Sequence, residues 1–305
     1  METVTPTEQE PIKEDGLTNE IASKDNQHVK LACSLHEKKY RKEKNLILFE
    51  GKTLIEEALK RKIKLQSLFY TKDTVLEEFK NDHPEELSFE IYKVSPEIME
   101  KISTTDSSPP LVAISEKPNF VDPLHHDSQL SLLDNQSPER KTGNLFLYCE
   151  SIQDPGNLGS IIRTAFSAGV EAVYLSHDCS DIFNAKTLRS SMGALFCGPV
   201  IYKDLSDIKN NLIAFSSANQ TSYEIIGTSS YAETVFDEIN INKMKNLMLL
   251  VGNESKGLRE ESLKACTMNI RINLENDIES LNVLSATSII LFDLKNKLGI
   301  NSPSK

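Results

Sequence analysis

Leu145-Phe146-Leu147-Tyr148-Cys149, followed by Gln153-Asp154-Pro155-Gly156-Asn157-Leu158-Gly159-Ser160-Ile161-Ile162-Arg163, is the stretch on which the fold turns. An unbroken apolar run of strand length reads as a strand buried on both faces, as in a parallel sheet. Asp154-Pro155-Gly156 is turn chemistry, and Gly159 lets a second backbone come close. The spacing then predicts a helix over 156–168 and a second strand over 172–176. Outward from there the rhythm continues with a helix near 185–195 and a strand near 199–202. Further strands are expected over 212–216, 247–251 and 268–272, with a closing helix over 283–297. Strands alternating with helices imply a parallel sheet covered on both faces.

Upstream, residues 21–118 read as a smaller α/β unit with strands at Leu46 to Phe49, Leu65 to Tyr70, Glu90 to Val94 and Leu111 to Ser115. Thr53, with Glu56 three residues on, is placed to cap a helix whose stripe is Leu54, Ile55, Ala58 and Leu59. Residues 119–143, rich in Ser, Asp and Asn with Pro123 and Pro138, read as a linker. His125 and His126 lie there without the acid or thiol partners of a metal site, so no metal is expected. Residues 1–20 carry six acids against Lys13 and read as a solvated, disordered acidic tail, neither secretory nor mitochondrial in character.

The chain has 305 residues, room for two domains, and no apolar run of membrane-spanning length, so no membrane partner is expected. Five scattered cysteines without a C-x-x-C pair fit reduced thiols in the cytoplasm. A net charge of −11 argues at first against a polyanion partner. Yet Lys24 to Lys72 holds thirteen Lys/Arg against six Asp/Glu, a local net of +7, and a local patch decides where a polyanion docks.

Three loops follow strands, where ligands of open α/β sheets bind. The first is Asp154 to Arg163. The second, Gly252-Asn253-Glu254-Ser255-Lys256-Gly257, lacks the Gly-Lys-Ser/Thr order of a triphosphate loop and the G-x-G-x-x-G of a dinucleotide site. It remains a glycine turn able to press backbone groups against a flat ligand, with one carboxylate. The third, Ser280-Leu281-Asn282-Val283, enters the last helix with two capping-type residues where one suffices. Singly, each loop reads as an ordinary turn.

Together and in this order, Asp154-Pro-x-Asn-x-Gly-x-x-x-Arg163, Gly252-x-Glu254-x-x-Gly257 and Ser280-Leu-Asn-Val283 resemble the three motifs of the SpoU (TrmH) family of RNA 2′-O-ribose methyltransferases, within the SPOUT superfamily. Lys24-x-Asn26-x-x-Val29-Lys30, Lys39-Tyr40-Arg41 and Phe49-Glu50-Gly51 resemble the RNA-binding N-terminal module of many members. The resemblance implies a trefoil-knotted domain over 144–300, S-adenosyl-L-methionine as methyl donor, and a homodimer whose interface completes the site. Carried over residue by residue, it makes Arg163 the catalytic arginine, Asn157 its partner, Glu254 the acid that orients it, and Ser280 and Asn282 the polar pair. Gly252, Ile272 and Leu281, with Asn253 and Gly257, become the donor-binding set, and Asn26, Lys30, Lys39 and Arg41 the RNA contacts. Ile272-Asn273-Leu274 and Asn276 stand where the family has Ile-Pro-Met and Gly, and Leu284 where it has Ser, which bears on donor affinity. The expected activity is ribose 2′-O-methylation, with ribosomal RNA favoured over transfer RNA. The rival from another class is a non-catalytic RNA-binding assembly factor.

Overall fold

Two sheets, each formed from its own half of the sequence, make up the computed structural model, which describes residues 18–83, 88–105, 107, 109–125, 143–241 and 245–300. The first sheet runs in the order β1-β4-β3-β5-β2, from β1 (Thr18–Ile21), β2 (Leu46–Glu50), β3 (Leu65–Tyr70), β4 (Glu90–Val94) and β5 (Leu111–Glu116). β1, β4 and β3 pair in parallel, and β5 runs antiparallel to both β3 and β2. Helices α1 (Gln27–Ser34), α2 (Lys38–Lys44), α3 (Lys52–Lys60), α4 (Asp73–Asp82) and α5 (Pro96–Ile102) connect or flank these strands.

Two expectations are corrected here. Residues 18–20 are not part of a solvated tail: they belong to β1, whose ladder with β4 and buried Ile21 outweigh the local acidity. The rest of that tail lies outside the described residues, as does most of the linker. Nor does Thr53 cap α3: the helix starts at Lys52, so Thr53 lies inside its first turn, and Gly51, at φ +96°, takes the cap position. The stripe itself holds, with Leu54, Ile55, Ala58 and Leu59 all buried.

The second sheet is parallel throughout, in the order β10-β12-β9-β11-β6-β7-β8. Its strands are β6 (Asn144–Cys149), β7 (Ala172–Leu175), β8 (Val200–Tyr202), β9 (Tyr223–Thr228), β10 (Thr234–Val235), β11 (Asn246–Val251) and β12 (Met268–Arg271). Its helices are α6 (Pro155–Ser167), α7 (Ala185–Ser191), α8 (Leu205–Ala218), α9 (Glu260–Ala265) and α10 (Val283–Lys297). Every residue of β11 is buried, as a central parallel strand requires. Residues 212–216, expected as a strand, are the last turns of α8, and the strand is β9, further on. Ile208, Leu212 and Phe215 fall on one helical face, a period that a five-residue window misreads.

From β12, next to the edge strand β10, the chain returns past the loops after β9 and β11 to α10, which packs on β11 and α6. This is the segment that the expected knot threads. α6 and α7 pack backbone to backbone: a Cβ on Gly159 would lie 2.4 Å from the Thr187 carbonyl oxygen and 2.0 Å from Ser190 Oγ. Among the described residues, no helix is long and apolar enough to cross a membrane.

The two sheets are packed together rather than strung on a linker. Phe49 meets Phe196 with ring centroids 5.7 Å apart, inside one buried apolar cluster that spans both sheets. Two arginines cross the seam in opposite directions. Arg41 of α2 pairs with Asp181 at 2.6 Å, and Arg189 of α7 pairs with Glu50 at 2.7 Å. The linker's start is docked as well, since Asp122 accepts from Tyr174 Oη and Lys203 Nζ, each at 2.7 Å.

Glu50 is fully satisfied. Ser103 Oγ, the Thr104 amide, Thr104 Oγ1 and Arg189 all donate to it. Burial raises its pKa, but these donors together outweigh burial and hold the carboxyl below its ordinary 4.5. A depressed carboxylate stabilises the fold fully above the unfolded value and loses that contribution as pH falls through the folded one. Glu50→Ala is therefore expected to destabilise by about 3 kcal/mol at neutral pH, the low end for a broken buried pair because Arg189 is one-third exposed. Urea titration should show the gap between wild type and variant closing below about pH 4.5, and a gap that persists in acid would refute the assignment.

Candidate active site

β6, β9, β11 and β12 point their C-terminal ends the same way, so the loops that follow them gather at one edge of the sheet. After β6, Asp154 caps α6 by accepting the Asn157 amide at 2.8 Å, with Pro155 in the first helical turn. The cap sets the direction of α6 and turns the Asn157 side chain toward the loop after β11. There Asn157 Nδ2 donates to Glu254 Oε1 at 3.1 Å, and Asn253 Nδ2 reaches the other oxygen at 3.3 Å. Asn253 also donates to the Ser151 carbonyl at 2.9 Å, tying the first and second loops together twice.

The glycine turn is closed by reciprocal backbone bonds, Asn253 N–H to Gly257 O at 3.1 Å and Gly257 N–H to Asn253 O at 2.9 Å. Asn253 Oδ1 accepts the Ser255 and Lys256 amides, and Gly257 takes φ +66°. Gly252 sits against the far side of this turn, so its peptide faces the adjoining cavity without a side chain.

That cavity, about 340 Å³, has walls from the loops after β9, β11 and β12 and from the start of α10. Gly252, Asn253, Glu254, Gly257, Ile272, Ser280 and Leu281, all singled out from the sequence, line it. The third loop separates its two polar residues by role. Asn282 caps α10, accepting the Leu284 amide at 2.8 Å, while Ser280 takes no part in the cap and is left to the cavity.

Asn157 and Arg163 are not in the cavity wall. Asn157 acts on it through Glu254, whereas Arg163, further along α6, is exposed and its guanidinium has no partner among the described residues. The expected pairing of Glu254 with Arg163 is absent within one chain, because Glu254 is turned to the start of the helix and Arg163 faces solvent.

Sequence reading missed the third wall. Thr228 to Ser230, after β9, line the cavity, and Thr228 Oγ1 donates to the Leu250 carbonyl at 3.1 Å. The run Ile225-Ile226-Gly227-Thr228 was the available signal, hidden by the strand expected at 212–216. Asn276 and Asp277 take φ +60° and +56°, a left-handed pair in the segment leading to Ser280 that these residue types accept.

Of the four expected RNA contacts, Lys30 and Lys39 are exposed, Lys30 beside Asp25 and Lys39 over the Tyr40 ring. Asn26 is occupied as the cap of α1. Arg41 is buried, with Nη1 on the Leu35 and His36 carbonyls and Nη2 on Asp181, so it is a seam residue and not a surface contact. Among the described residues, no cluster of three or more His, Cys, Asp or Glu could hold a metal ion.

The SpoU rRNA Methylase family model matches residues 144–292, and the MRM3-like substrate binding domain matches residues 26–113. The chain is 30% identical to the 23S rRNA (guanosine(2553)-2′-O)-methyltransferase RlmP of Bacillus subtilis, over 90% of this chain and 99% of that protein. It is 29% identical to the mitochondrial rRNA methyltransferase 3 of Xenopus laevis, over 86% of this chain and 71% of that protein. Among solved structures, the AdoMet-bound rRNA methyltransferase from Sinorhizobium meliloti superposes with a TM-score of 0.74 at 27% identity, covering 92% of this chain and 98% of that one.

Proposed function

The chain belongs to the SpoU rRNA methylase family, and on that premise we propose that it methylates a ribose 2′-hydroxyl of ribosomal RNA. The observation that carries the site is the convergence of three strand-end loops on one cavity, with Glu254 held by Asn157 at its edge. S-adenosylmethionine, when bound, supplies a methyl group on a sulfonium for in-line displacement by the ribose oxygen. The cavity suits that donor: Ile272 and Leu281 give apolar wall, and the bare Gly252 peptide and Ser280 hydroxyl give directed polar groups.

We assign Arg163 to the neighbouring phosphate and to the alkoxide that develops as the hydroxyl proton leaves. An arginine keeps its proton at ordinary pH, so its contribution is charge and geometry rather than base catalysis. Its exposure away from the cavity wall favours a partner subunit completing the site. The exposed Ile289 (46%) and Phe292 (43%) of α10 favour this helix as the interface. Light scattering of the intact protein is expected to give twice the chain mass, and a monomer in solution would remove this part of the reading. All five cysteines are free, which supports a reducing, cytoplasmic setting.

Residues 18–118 serve in this reading as the substrate-binding unit and 144–300 as the methyltransferase unit. Ribosomal RNA is favoured over transfer RNA because relatives named for it align with most of the chain, first unit included. Transfer of tritiated methyl from S-adenosylmethionine to unmethylated ribosomal RNA, followed by mapping of the 2′-O-methyl site, tests the assignment. Binding of the donor without transfer to any RNA would favour the assembly factor instead.

A further inference from the structure

Where α2 and α5's following loop meet α7, the seam between the two sheets encloses a polar pocket of about 220 Å³, far more than the roughly 10–15 Å³ that one water needs. His36, Arg41, Lys186 and Arg189 line it, with Asn184 and Ala185, and no carboxylate is among its lining side chains. The pocket's offer lies in directed donors rather than net charge, because its two arginines and its lysine each already hold a carboxylate partner. Arg41 pairs with Asp181, Arg189 with Glu50 and Lys186 with Asp154.

Arg41 Nε is buried and has no hydrogen-bond partner, although both terminal nitrogens are engaged. A buried donor left unmade is costly, and an acceptor reaching it from the pocket would relieve that cost. Arg189 engages Nη1 alone, with Glu50 and Thr104 each at 2.7 Å, and Lys186 uses one of three protons on Asp154. Two guanidiniums thus line a pocket between the units whose wall holds no carboxylate side chain.

We propose that this seam pocket is an oxyanion site that takes one phosphate group. Planar guanidinium edges match phosphate oxygens in both geometry and charge, and charge-assisted bonds of this kind are the strong ones. Resting on the reading above, the source is a phosphodiester of the RNA substrate, held where the substrate-binding and methyltransferase units meet. The same chemistry would hold free phosphate, and the test separates the two.

The informative variant is Ala185→Glu, which puts a carboxylate into the pocket while leaving both arginine pairs in place. Arg189→Gln alone would also break the pair with Glu50. The full-length wild-type and Ala185→Glu proteins are titrated with inorganic phosphate by calorimetry, and with a transcript of large-subunit ribosomal RNA over a range of KCl. An RNA contact predicts that the slope of log K against log salt falls by about 0.7–0.9 in the variant, the share of one phosphate. A free-anion site predicts saturable phosphate binding that weakens at least tenfold in the variant, with the RNA slope unchanged. Neither phosphate binding nor a change in slope would overturn the proposal. Phosphate binding alongside a failure to methylate any RNA would sink the enzymatic reading and leave the pocket standing.

Discussion

Replacing Arg163 with alanine is expected to cut the rate of methyl transfer by about 10²- to 10³-fold, the loss of roughly 3–4 kcal/mol of transition-state stabilisation. The guanidinium is exposed and bonded to nothing among the described residues, so its removal leaves stability within about 0.5 kcal/mol of wild type. Donor affinity should be unchanged, because Arg163 does not line the cavity. Arg163→Lys keeps the charge and loses the planar fork, and should fall between wild type and Arg163→Ala. Single-turnover transfer of labelled methyl, run beside thermal unfolding and donor titration, separates these effects. Equal rates for the lysine and alanine variants would deny the guanidinium any part in the chemistry.

Gly252→Ala should weaken S-adenosylmethionine binding by about ten- to a hundredfold. A Cβ at this position would lie 2.1 Å from the Gly257 carbonyl carbon, 2.2 Å from the Leu258 nitrogen and 2.4 Å from the Gly257 oxygen. All three are backbone atoms in a turn closed by two reciprocal hydrogen bonds, so no side-chain rotation relieves the clash. Overpacking of this kind costs about 1–3 kcal/mol, which is one to two decades in a dissociation constant if the turn opens to absorb it. Opening the turn also moves Glu254 away from Asn157, so transfer should fall further than occupancy alone explains. Equilibrium dialysis with the labelled donor reads the first effect, and saturating donor concentrations expose the second. Wild-type affinity in Gly252→Ala would mean that the turn is not part of the donor site.

Much of the site was legible because its residues announce themselves by type. Asp154, Pro155 and Asn282 are cap and first-turn residues, and the structure uses each of them so. Gly252 and Gly257 lie where no side chain fits or where φ is positive. Local chemistry of this kind acts over a few residues and is written in those residues. Thr228 to Ser230 escaped notice because their place in the cavity depends on β9 lying between β11 and β12, a neighbourhood that no local pattern encodes. Arg41 failed as a surface contact for a similar reason. Its partner Asp181 is far away in sequence, and a basic cluster does not say which of its members will be turned inward.

By itself, the sequence determined the alternation of strands and helices, the parallel second sheet and the three loops, because apolar period and turn chemistry are local quantities. Tertiary structure alone decided that Glu254 answers Asn157 rather than Arg163, and that two arginine–carboxylate pairs across the seam lock the units together. It also left between them a pocket whose wall holds no carboxylate side chain. Those outcomes depend on which surfaces are desolvated against each other, and desolvation is fixed only once the whole chain has packed.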